Sequence, residues 1–235
     1  MKTDWDYSNL ADAYLARPDY AEDALRELLE VCAPDGGLDV CDIGAGTGNL
    51  TRPLAEHGHS VVAVEPNERM RENGLRVTAQ FARVRWVEGT GEATGLEPSA
   101  FDFVTFGSSF NVCDQMAALN ETARILRWHG WFACMWNHRV LEDPLQSEIE
   151  AVIRSRVKSF DYGSRRQDPT AVIDSSGLFG GVRHIAGSTT HTQTLAECVT
   201  AWRSHATLQR QAGGDFDEVI GDIESLLVDA AAGGG

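Results

Sequence analysis

The chain has 235 residues and a mass of 25.6 kDa, a size that suits one α/β domain with a sizeable core. Its 20 Lys and Arg against 35 Asp and Glu give a formal net charge of −15, which would repel a phosphate backbone, so we expect no nucleic-acid partner. No stretch reaches the roughly 20 apolar residues of a membrane span, and the first residues lack the apolar core of a signal peptide. The sequence therefore predicts a cytoplasmic protein with no membrane partner.

Strands and helices alternate along the first 140 residues. An amphipathic helix comes first, because Leu25, Leu28, Leu29 and Cys32 recur at helical spacing. The hydrophobic pattern then predicts strands near 38–43, 61–65, 84–88, 101–106 and 131–137, and helices near 49–57, 67–79 and 115–127. Strands that alternate with helices predict a parallel sheet with right-handed crossovers. The expected fold class is α/β, with a doubly wound, mostly parallel sheet.

The pattern changes after residue 139. Apolar residues at helical spacing predict a helix within 146–158, and a polar loop follows at 161–168. Ligands of such folds bind beyond the carboxyl ends of the strands, so we expect residues 140–180 to form an α-helical lid and substrate wall there. The remaining predicted elements are a short helix near 169–177, a strand within 182–193, and helices near 195–211 and 215–228.

A single domain over 1–235 is expected, in four parts. These are N-terminal cap helices in 1–36, a cofactor-binding core in 37–139, the lid and substrate wall in 140–180, and a C-terminal strand and helices in 181–235.

A glycine-spaced loop separates the first predicted strand from its helix. Residues 38–49 read Leu-Asp-Val-Cys-Asp-Ile-Gly-Ala-Gly-Thr-Gly-Asn. Glycines let the backbone bend sharply against a ligand, and the following helix offers unpaired N–H groups. The spacing is G-x-G-x-G, which does not match the dinucleotide fingerprint G-x-G-x-x-G. Glu65 ends the next predicted strand, where its carboxylate can accept the two hydroxyls of a ribose. Loop and acid together predict a nucleotide cofactor; a tight turn with a solvated Glu is the plainer alternative.

These segments resemble the class I S-adenosylmethionine-dependent methyltransferases. Within that family the chain resembles the branch of ubiquinone/menaquinone-biosynthesis methyltransferases and small-molecule methyltransferases of secondary metabolism. The resemblance covers residues 1 to about 140 well and the rest loosely, and five segments carry it: 40–48, 64–67, 89–93, 101–105 and 124–131. It implies a Rossmann-like sheet. The usual antiparallel seventh strand is expected to be missing or supplied from elsewhere, through truncation, strand exchange with a second copy or an open sheet, because residues 226–229 run into an Ala/Gly tail.

The resemblance implies S-adenosylmethionine as the cofactor and S-adenosylhomocysteine as its product. Gly44, Gly46 and Gly48 would lie against the methionine part, Asp42 would fix the loop, and Glu65 would bind the ribose. The other implied cofactor contacts are Tyr14, Arg17, Ala45, Pro66, Asn67, Met70, Thr90, Gly91, Glu92, Phe106 and Gly107.

Two of these roles, those of Arg17 and of residues 90–92, have open alternatives. Arg17 could pair bidentately with the methionine carboxylate, although a leading helix also places such residues on its packing face. Phe106 and Phe110 could attract the sulfonium through cation–π contacts. Residues 90–92 would lie along the edge of the adenine ring, or they form an ordinary surface turn.

Two segments follow strands and should project into the crevice, 107–112 and 137–139. His138 is the candidate general base, because its ordinary pKa near 6.5 suits proton removal at neutral pH. Asn111 is a second candidate for the chemistry. A structural role for His138 is the alternative, since methyl transfer can proceed by in-line positioning without a base.

Substrate contacts are expected from Ser109 and Phe110 and from three arginines of an otherwise acidic chain. Arg139, Arg165 and Arg166 would hold a carboxylate or phosphate under the lid, or they pair with the many acidic side chains. The histidines lack paired metal-ligand spacing, so we expect no metal.

The sequence thus predicts methyl transfer to an O, N or C atom of a small metabolite, with an anionic group if the arginines bind it. The protein would act as a monomer or homodimer. One alternative is a protein that binds S-adenosylmethionine or its product without transferring methyl. Another is an NAD-type oxidoreductase, which the glycine spacing and Asp42 disfavour.

Overall fold

The computed structural model describes residues 8–32 and 36–232. Five parallel strands form one sheet in the order β3-β2-β1-β4-β5. The strands are β1 Asp39–Ile43, β2 Ser60–Val64, β3 Val84–Val87, β4 Phe101–Gly107 and β5 Leu126–Met135. The predicted doubly wound parallel sheet is confirmed. The strand order reverses between β1 and β4, and ligands of open α/β sheets bind at such a switch point.

The helices follow the predicted alternation in the first half of the chain. They are α1 Ala11–Tyr14, α2 Glu22–Cys32, α3 Thr51–Glu56, α4 Glu68–Val77, α5 Gln115–Ile125, α6 Pro144–Arg156, α7 Thr170–Ser176, α8 Leu195–Arg203, α9 Ala206–Ala212 and α10 Phe216–Ala232. None of the described helices is both long and apolar enough to cross a membrane.

The sheet has a hydrophobic core on each face, because successive strand residues point to opposite sides. Val40 and Phe103 pack with Leu29 of α2 and Leu54 of α3 on one face. The other core contains Cys41, Val104, Leu119 of α5 and Ile173 of α7. Burial on both faces explains why the strands read as continuous apolar runs.

A third hydrophobic cluster joins α6, α8, α9 and α10 into a helical layer. Ile153 of α6, Trp202 of α8 and Ile223 of α10 lie at its centre. Arg156 of α6 also forms ion pairs with Glu218 and Asp222 of α10. The predicted lid is therefore divided: α6 belongs to this layer, whereas α7 packs against the sheet. Closure over the crevice stays a prediction.

Two expectations for the C-terminal part are wrong. The helix expected near 195–211 breaks at Ser204, and His205 starts α9 by accepting the N–H of Leu208 on its Nδ1 atom at 3.1 Å. No strand forms within 182–193; instead the segment runs beside α2, where the Ser188 N–H points to the carboxylate of Asp23 at 3.4 Å. The described sheet therefore ends at β5, without a sixth or seventh strand.

Candidate active site

The glycine loop after β1 has a backbone that ordinary residues rarely adopt. Gly44, Gly46 and Gly48 have φ values of +65°, +59° and +90°. The Gly44 N–H donates to the carbonyl oxygen of Val64 at 2.8 Å, which turns the loop towards the end of β2. A Cβ atom on Gly44 would stand only 2.4 Å from the Cβ of Ser109, so this position has room for glycine alone.

Glu65 lies directly beside this loop and is 7% exposed. Its two carboxylate oxygens accept the N–H groups of Gly46 and Asn67, each at 2.9 Å. Burial raises the pKa of Glu65, and these two hydrogen bonds oppose the rise. Each oxygen can still accept a second hydrogen bond, as two ribose hydroxyls require. Gly46 has open space where a Cβ would point, so the loop and acid fit an adenosyl cofactor.

Asp42 is fully buried beneath the loop. Its carboxylate accepts the hydroxyls of Thr51 at 2.6 Å and Thr105 at 3.0 Å. Burial raises the pKa of Asp42 to about 6, although both hydrogen bonds act against that rise. The side chain thus ties β1 to α3 and β4, which is how a residue that fixes the loop would act.

The residues expected around the adenine are held by the protein itself. Asn67 caps α4 by accepting the N–H of Met70 at 3.1 Å, and Met70 is buried. The Pro66 carbonyl accepts a hydrogen bond from Arg71 at 2.9 Å. Ala45 in the loop is likewise buried. Their contact with a cofactor stays a prediction.

The turn after β3 is closed by two backbone hydrogen bonds between Thr90 and Ala93. Gly91 packs so tightly that an added Cβ would lie 2.6 Å from the Sγ of Cys113. The Glu92 carboxylate accepts the N–H of Asp114 at 2.8 Å, at the start of α5. The turn is therefore anchored to α5, and Glu92 has its own structural partner.

The two phenylalanines proposed to meet the sulfonium are core residues. Phe106 and Phe110 are 0% exposed, and their rings meet edge to face with centroids 5.3 Å apart. Each ring centroid also lies 5.7 Å from that of Phe132. Their contact with the sulfonium or the substrate stays a prediction. The Ser109 hydroxyl donates to the Ile43 carbonyl at 2.6 Å, and its expected substrate contact stays a prediction.

Arg17 binds the helical layer in this structure. Its guanidinium lies 3.7 Å from the ring centroid of Tyr14 and donates to Ser204, to Oγ at 2.8 Å and to the carbonyl oxygen at 2.7 Å. These contacts use two of the five N–H donors of the guanidinium, and its pairing with the methionine carboxylate stays a prediction.

Arg139 and Arg166 come together with two aromatic rings after β5. The Arg139 guanidinium stacks 3.8 Å from the ring centroid of Trp202, and that of Arg166 lies 4.7 Å from Tyr162. Arg166 also donates to the Arg139 carbonyl at 3.0 Å. Burial, reinforced by the nearby Arg17 cation, lowers the pKa of Arg139 to about 10. Within the described part of the chain, no carboxylate forms an ion pair with either arginine.

The other proposed substrate and catalytic residues have fewer contacts. The Arg165 side chain lies outside the described residues; its backbone is in the turn Gly163–Arg166. His138 follows β5, and desolvation by neighbouring groups together with the Arg166 cation lowers its pKa, which favours the neutral imidazole that a base needs. Asn111 lies half-buried in the turn Phe110–Val112. Their roles in the chemistry stay predictions. No group of three metal-ligating side chains occurs among the described residues.

Gly107 and Tyr20 meet at the carboxyl end of β4. The Tyr20 hydroxyl lies 3.1 Å from the Oγ of Ser108. An added Cβ on Gly107 would stand 2.8 Å from the same Tyr20 hydroxyl oxygen. Burial raises the pKa of Tyr20 to about 12. Tyr20 had no predicted role; its one sequence signal is its place in Arg17-Pro-Asp-Tyr20 just before α2. Trp202 was likewise assigned only to a helix.

Comparison with known proteins agrees with this site. Residues 41–134 match the family described as "Methyltransferase domain". An uncharacterised methyltransferase of Mycobacterium tuberculosis is 35% identical over 123 residues, which cover 52% of this chain and 48% of that protein. A demethylmenaquinone methyltransferase of Staphylococcus aureus is 33% identical over 103 residues, 42% of this chain and 43% of that protein. The chain spans about half the length of these curated relatives.

Two solved structures share the fold over most of the chain. One is a protein of Anabaena variabilis provisionally assigned as a methyltransferase of an antibiotic biosynthesis pathway, with 19% identity, a TM-score of 0.60, and 91% of this chain and 87% of that chain covered. The other is a provisionally assigned S-adenosylmethionine-dependent methyltransferase of Methanococcus maripaludis, with 20% identity, a TM-score of 0.52, and 73% and 77% covered.

Fold and glycine loop together define a Rossmann-like methyltransferase domain. Residues 41–134 match a methyltransferase domain, and over this part the chain is similar to the class I S-adenosylmethionine-dependent methyltransferases of the ubiquinone/menaquinone-biosynthesis branch. The family implies S-adenosylmethionine as the cofactor, which supplies an electrophilic methyl group on a sulfonium.

Proposed function

We propose that the protein transfers the methyl group of S-adenosylmethionine to an O, N or C atom of a small anionic metabolite, of the kind methylated in secondary metabolism. We further infer that it works as a monomer or homodimer and has no nucleic-acid partner, which its net charge of −15 supports.

The surroundings of the Arg139 guanidinium are the observation that supports an anionic substrate. Removing a cation from water is costly unless an opposite charge or a set of hydrogen bonds replaces the lost hydration. Stacking on Trp202 returns part of that cost, about 2 kcal/mol at most for a desolvated pair. A carboxylate or phosphate of the substrate would supply the missing counter-charge.

Surface arginines of the same chain behave differently. Arg127 pairs with Asp39 at 2.9 Å and with Asp102 at 2.7 Å, and Arg124 pairs with Glu121 at 2.7 Å. In a protein so rich in acidic residues, ion pairs form readily. That Arg139 stacks on an aromatic ring instead supports a ligand-binding role.

The position of Arg139 also suits a small substrate. Glu65 follows β2 and Arg139 follows β5, so both lie at the carboxyl edge of the sheet. Three strand spacings separate them, roughly 14 Å in total. A cofactor with its ribose at Glu65 and a substrate with its anion at Arg139 could therefore meet between these residues.

A screen with methyl-labelled S-adenosylmethionine tests the proposal. Candidate small acids would be assayed beside their uncharged amides. We expect methyl transfer to at least one acid, with the matched amide at least tenfold poorer in kcat/KM, because the amide cannot form charge-assisted hydrogen bonds with Arg139.

Arg139→Gln should raise the KM of that acid at least tenfold while calorimetry shows unchanged cofactor affinity. Arg183→Gln is the matched control, because Arg183 is exposed and pairs with Glu27 on the surface. Equal rates with acids and amides would refute the anionic substrate. Cofactor binding without transfer to any compound would favour the binding protein over the enzyme.

A further inference from the structure

Tyr20 is held over the switch point by three different parts of the fold. Its hydroxyl contacts Ser108 at the end of β4. The segment that carries it is fixed on one side by Asn49, whose side chain donates to the Arg17 carbonyl at 3.3 Å. On the other side Asn137, after β5, donates to the Asp19 carbonyl at 2.9 Å. The phenol is therefore a positioned group.

The order of residues along the sheet edge locates Tyr20 within the proposed site. Glu65 follows β2, the glycine loop 44–48 follows β1, Tyr20 lies on the end of β4, and Arg139 follows β5. The sheet order β2-β1-β4-β5 therefore puts Tyr20 between the proposed ribose and anion sites. The methyl donor and the accepting atom would have to meet in that interval.

Ser108 has a backbone that supports a functional role. Its φ of +59° is unusual for a residue other than glycine, and such strain concentrates at functional sites. The Ser108 N–H donates to the Met135 carbonyl at 2.8 Å, which holds this conformation at the boundary of β4 and β5. The conformation brings the Ser108 hydroxyl to Tyr20.

Tyr20 is also in the protonation state that a neighbour of a methyl donor needs. Burial raises its pKa to about 12, so the phenol stays neutral at physiological pH. A phenolate beside a sulfonium would compete with the substrate for the methyl group, whereas a neutral phenol is a poor nucleophile. Its oxygen lone pairs remain able to accept weak hydrogen bonds.

We propose that the Tyr20 hydroxyl, oriented by Ser108, faces the cofactor's methyl group and accepts C–H···O hydrogen bonds from it at the point of transfer. This inference rests on the proposed function. During transfer, a lone pair of the accepting atom forms the new bond to carbon while the C–S electron pair stays on sulfur, which loses its positive charge. Any proton on the accepting atom then passes to solvent water or to the candidate base His138. Tyr20 neither gains nor loses a proton; it aligns the methyl group.

Calorimetry of Tyr20→Phe with S-adenosylmethionine and with S-adenosylhomocysteine tests this without knowledge of the substrate. The two ligands differ by the methyl group and its charge. Affinity for S-adenosylmethionine should fall about two- to fivefold per lost contact, while affinity for S-adenosylhomocysteine stays nearly level. Ser108→Ala should change the ratio of the two affinities in the same direction but by a smaller factor. It serves as a second variant if Tyr20→Phe folds poorly.

Ser155→Ala is the control, because it removes an exposed hydroxyl that donates to the Val152 carbonyl at 2.7 Å within α6. It should leave the ratio of the two affinities unchanged. Equal weakening of both ligands by Tyr20→Phe, or an unchanged ratio, would overturn the inference and leave the proposed function standing. A wild-type protein that binds neither ligand would overturn both.

Discussion

Arg17 and Ser204 are joined by two hydrogen bonds, from Nε to Oγ at 2.8 Å and from Nη2 to the carbonyl oxygen at 2.7 Å. Ser204 lies at the break between α8 and α9, so this pair ties the N-terminal segment to the helical layer. These bonds use two of the five N–H donors of the guanidinium. In this structure Arg17 has a structural role, and its contact with the methionine carboxylate stays a prediction.

Replacing Arg17 with Gln should lower the free energy of unfolding by about 1.5–3 kcal/mol, the range for a hydrogen bond to a charged group. Ser204→Ala keeps the carbonyl acceptor and should cost about 1 kcal/mol. Urea denaturation measures both. Cofactor affinity by calorimetry should change less than threefold in either variant. A tenfold loss in Arg17→Gln alone would show that Arg17 leaves Ser204 to bind the methionine carboxylate.

Alanine substitutions at two glycines of the loop should have different effects, one mainly on stability and the other mainly on cofactor affinity. A Cβ on Gly44 would clash with Ser109 at 2.4 Å, so Gly44→Ala should destabilise the domain by at least about 2 kcal/mol. Gly46 has nothing within 4 Å of an added Cβ, so Gly46→Ala should cost only the left-handed backbone, about 1–2 kcal/mol, while its methyl group fills the space proposed for the cofactor. Cofactor affinity should then fall at least tenfold. Unchanged cofactor binding in a folded Gly46→Ala protein would contradict the proposed contact between the glycine loop and the cofactor.

The sheet was predictable because its signal is local. A buried parallel strand reads as a short apolar run, and the strand expected at 61–65 is β2 Ser60–Val64. The wrong expectation of one continuous helix near 195–211 also has a local cause. Helical periodicity continues through Ser204, and only the capping contact of His205 breaks the helix. The strand expected within 182–193 needed a neighbouring strand, and a single segment does not reveal whether one is available.

The candidate site divides in the same way. The glycine loop and Glu65 were predictable, because spacing within one strand–loop–helix unit sets their geometry. Tyr20 was not, because it reaches Ser108 across 88 residues of chain, and Arg139 likewise meets Trp202 only through the packing of the helical layer. Phe106 lies within β4 and is buried in the core, which the apolar run of this strand predicts. Contacts between distant segments depend on tertiary packing, which local patterns do not encode.

Asp42 should make stability depend on pH in the sense opposite to most carboxylates. Burial raises its pKa from about 3.8 to about 6. The folded protein therefore holds this proton more tightly than the unfolded chain, so the contribution to stability is complete below about pH 4 and is lost as the pH rises through 6. The difference between the two pKa values corresponds to roughly 3 kcal/mol. Asp42→Asn removes this titration and nearly preserves the shape of the side chain.

Urea unfolding of the wild type and Asp42→Asn at a series of pH values checks this. The unfolding free energy of the wild type minus that of the variant should fall by roughly 2 kcal/mol between pH 4 and pH 6.5 and then stay nearly level. Taking the difference cancels groups common to both proteins, such as Glu121, whose pKa is lowered to about 2 by Arg124 and which acts in the opposite sense at lower pH. A difference that is constant or rises with pH would mean that Asp42 is ionised at little cost beneath the loop.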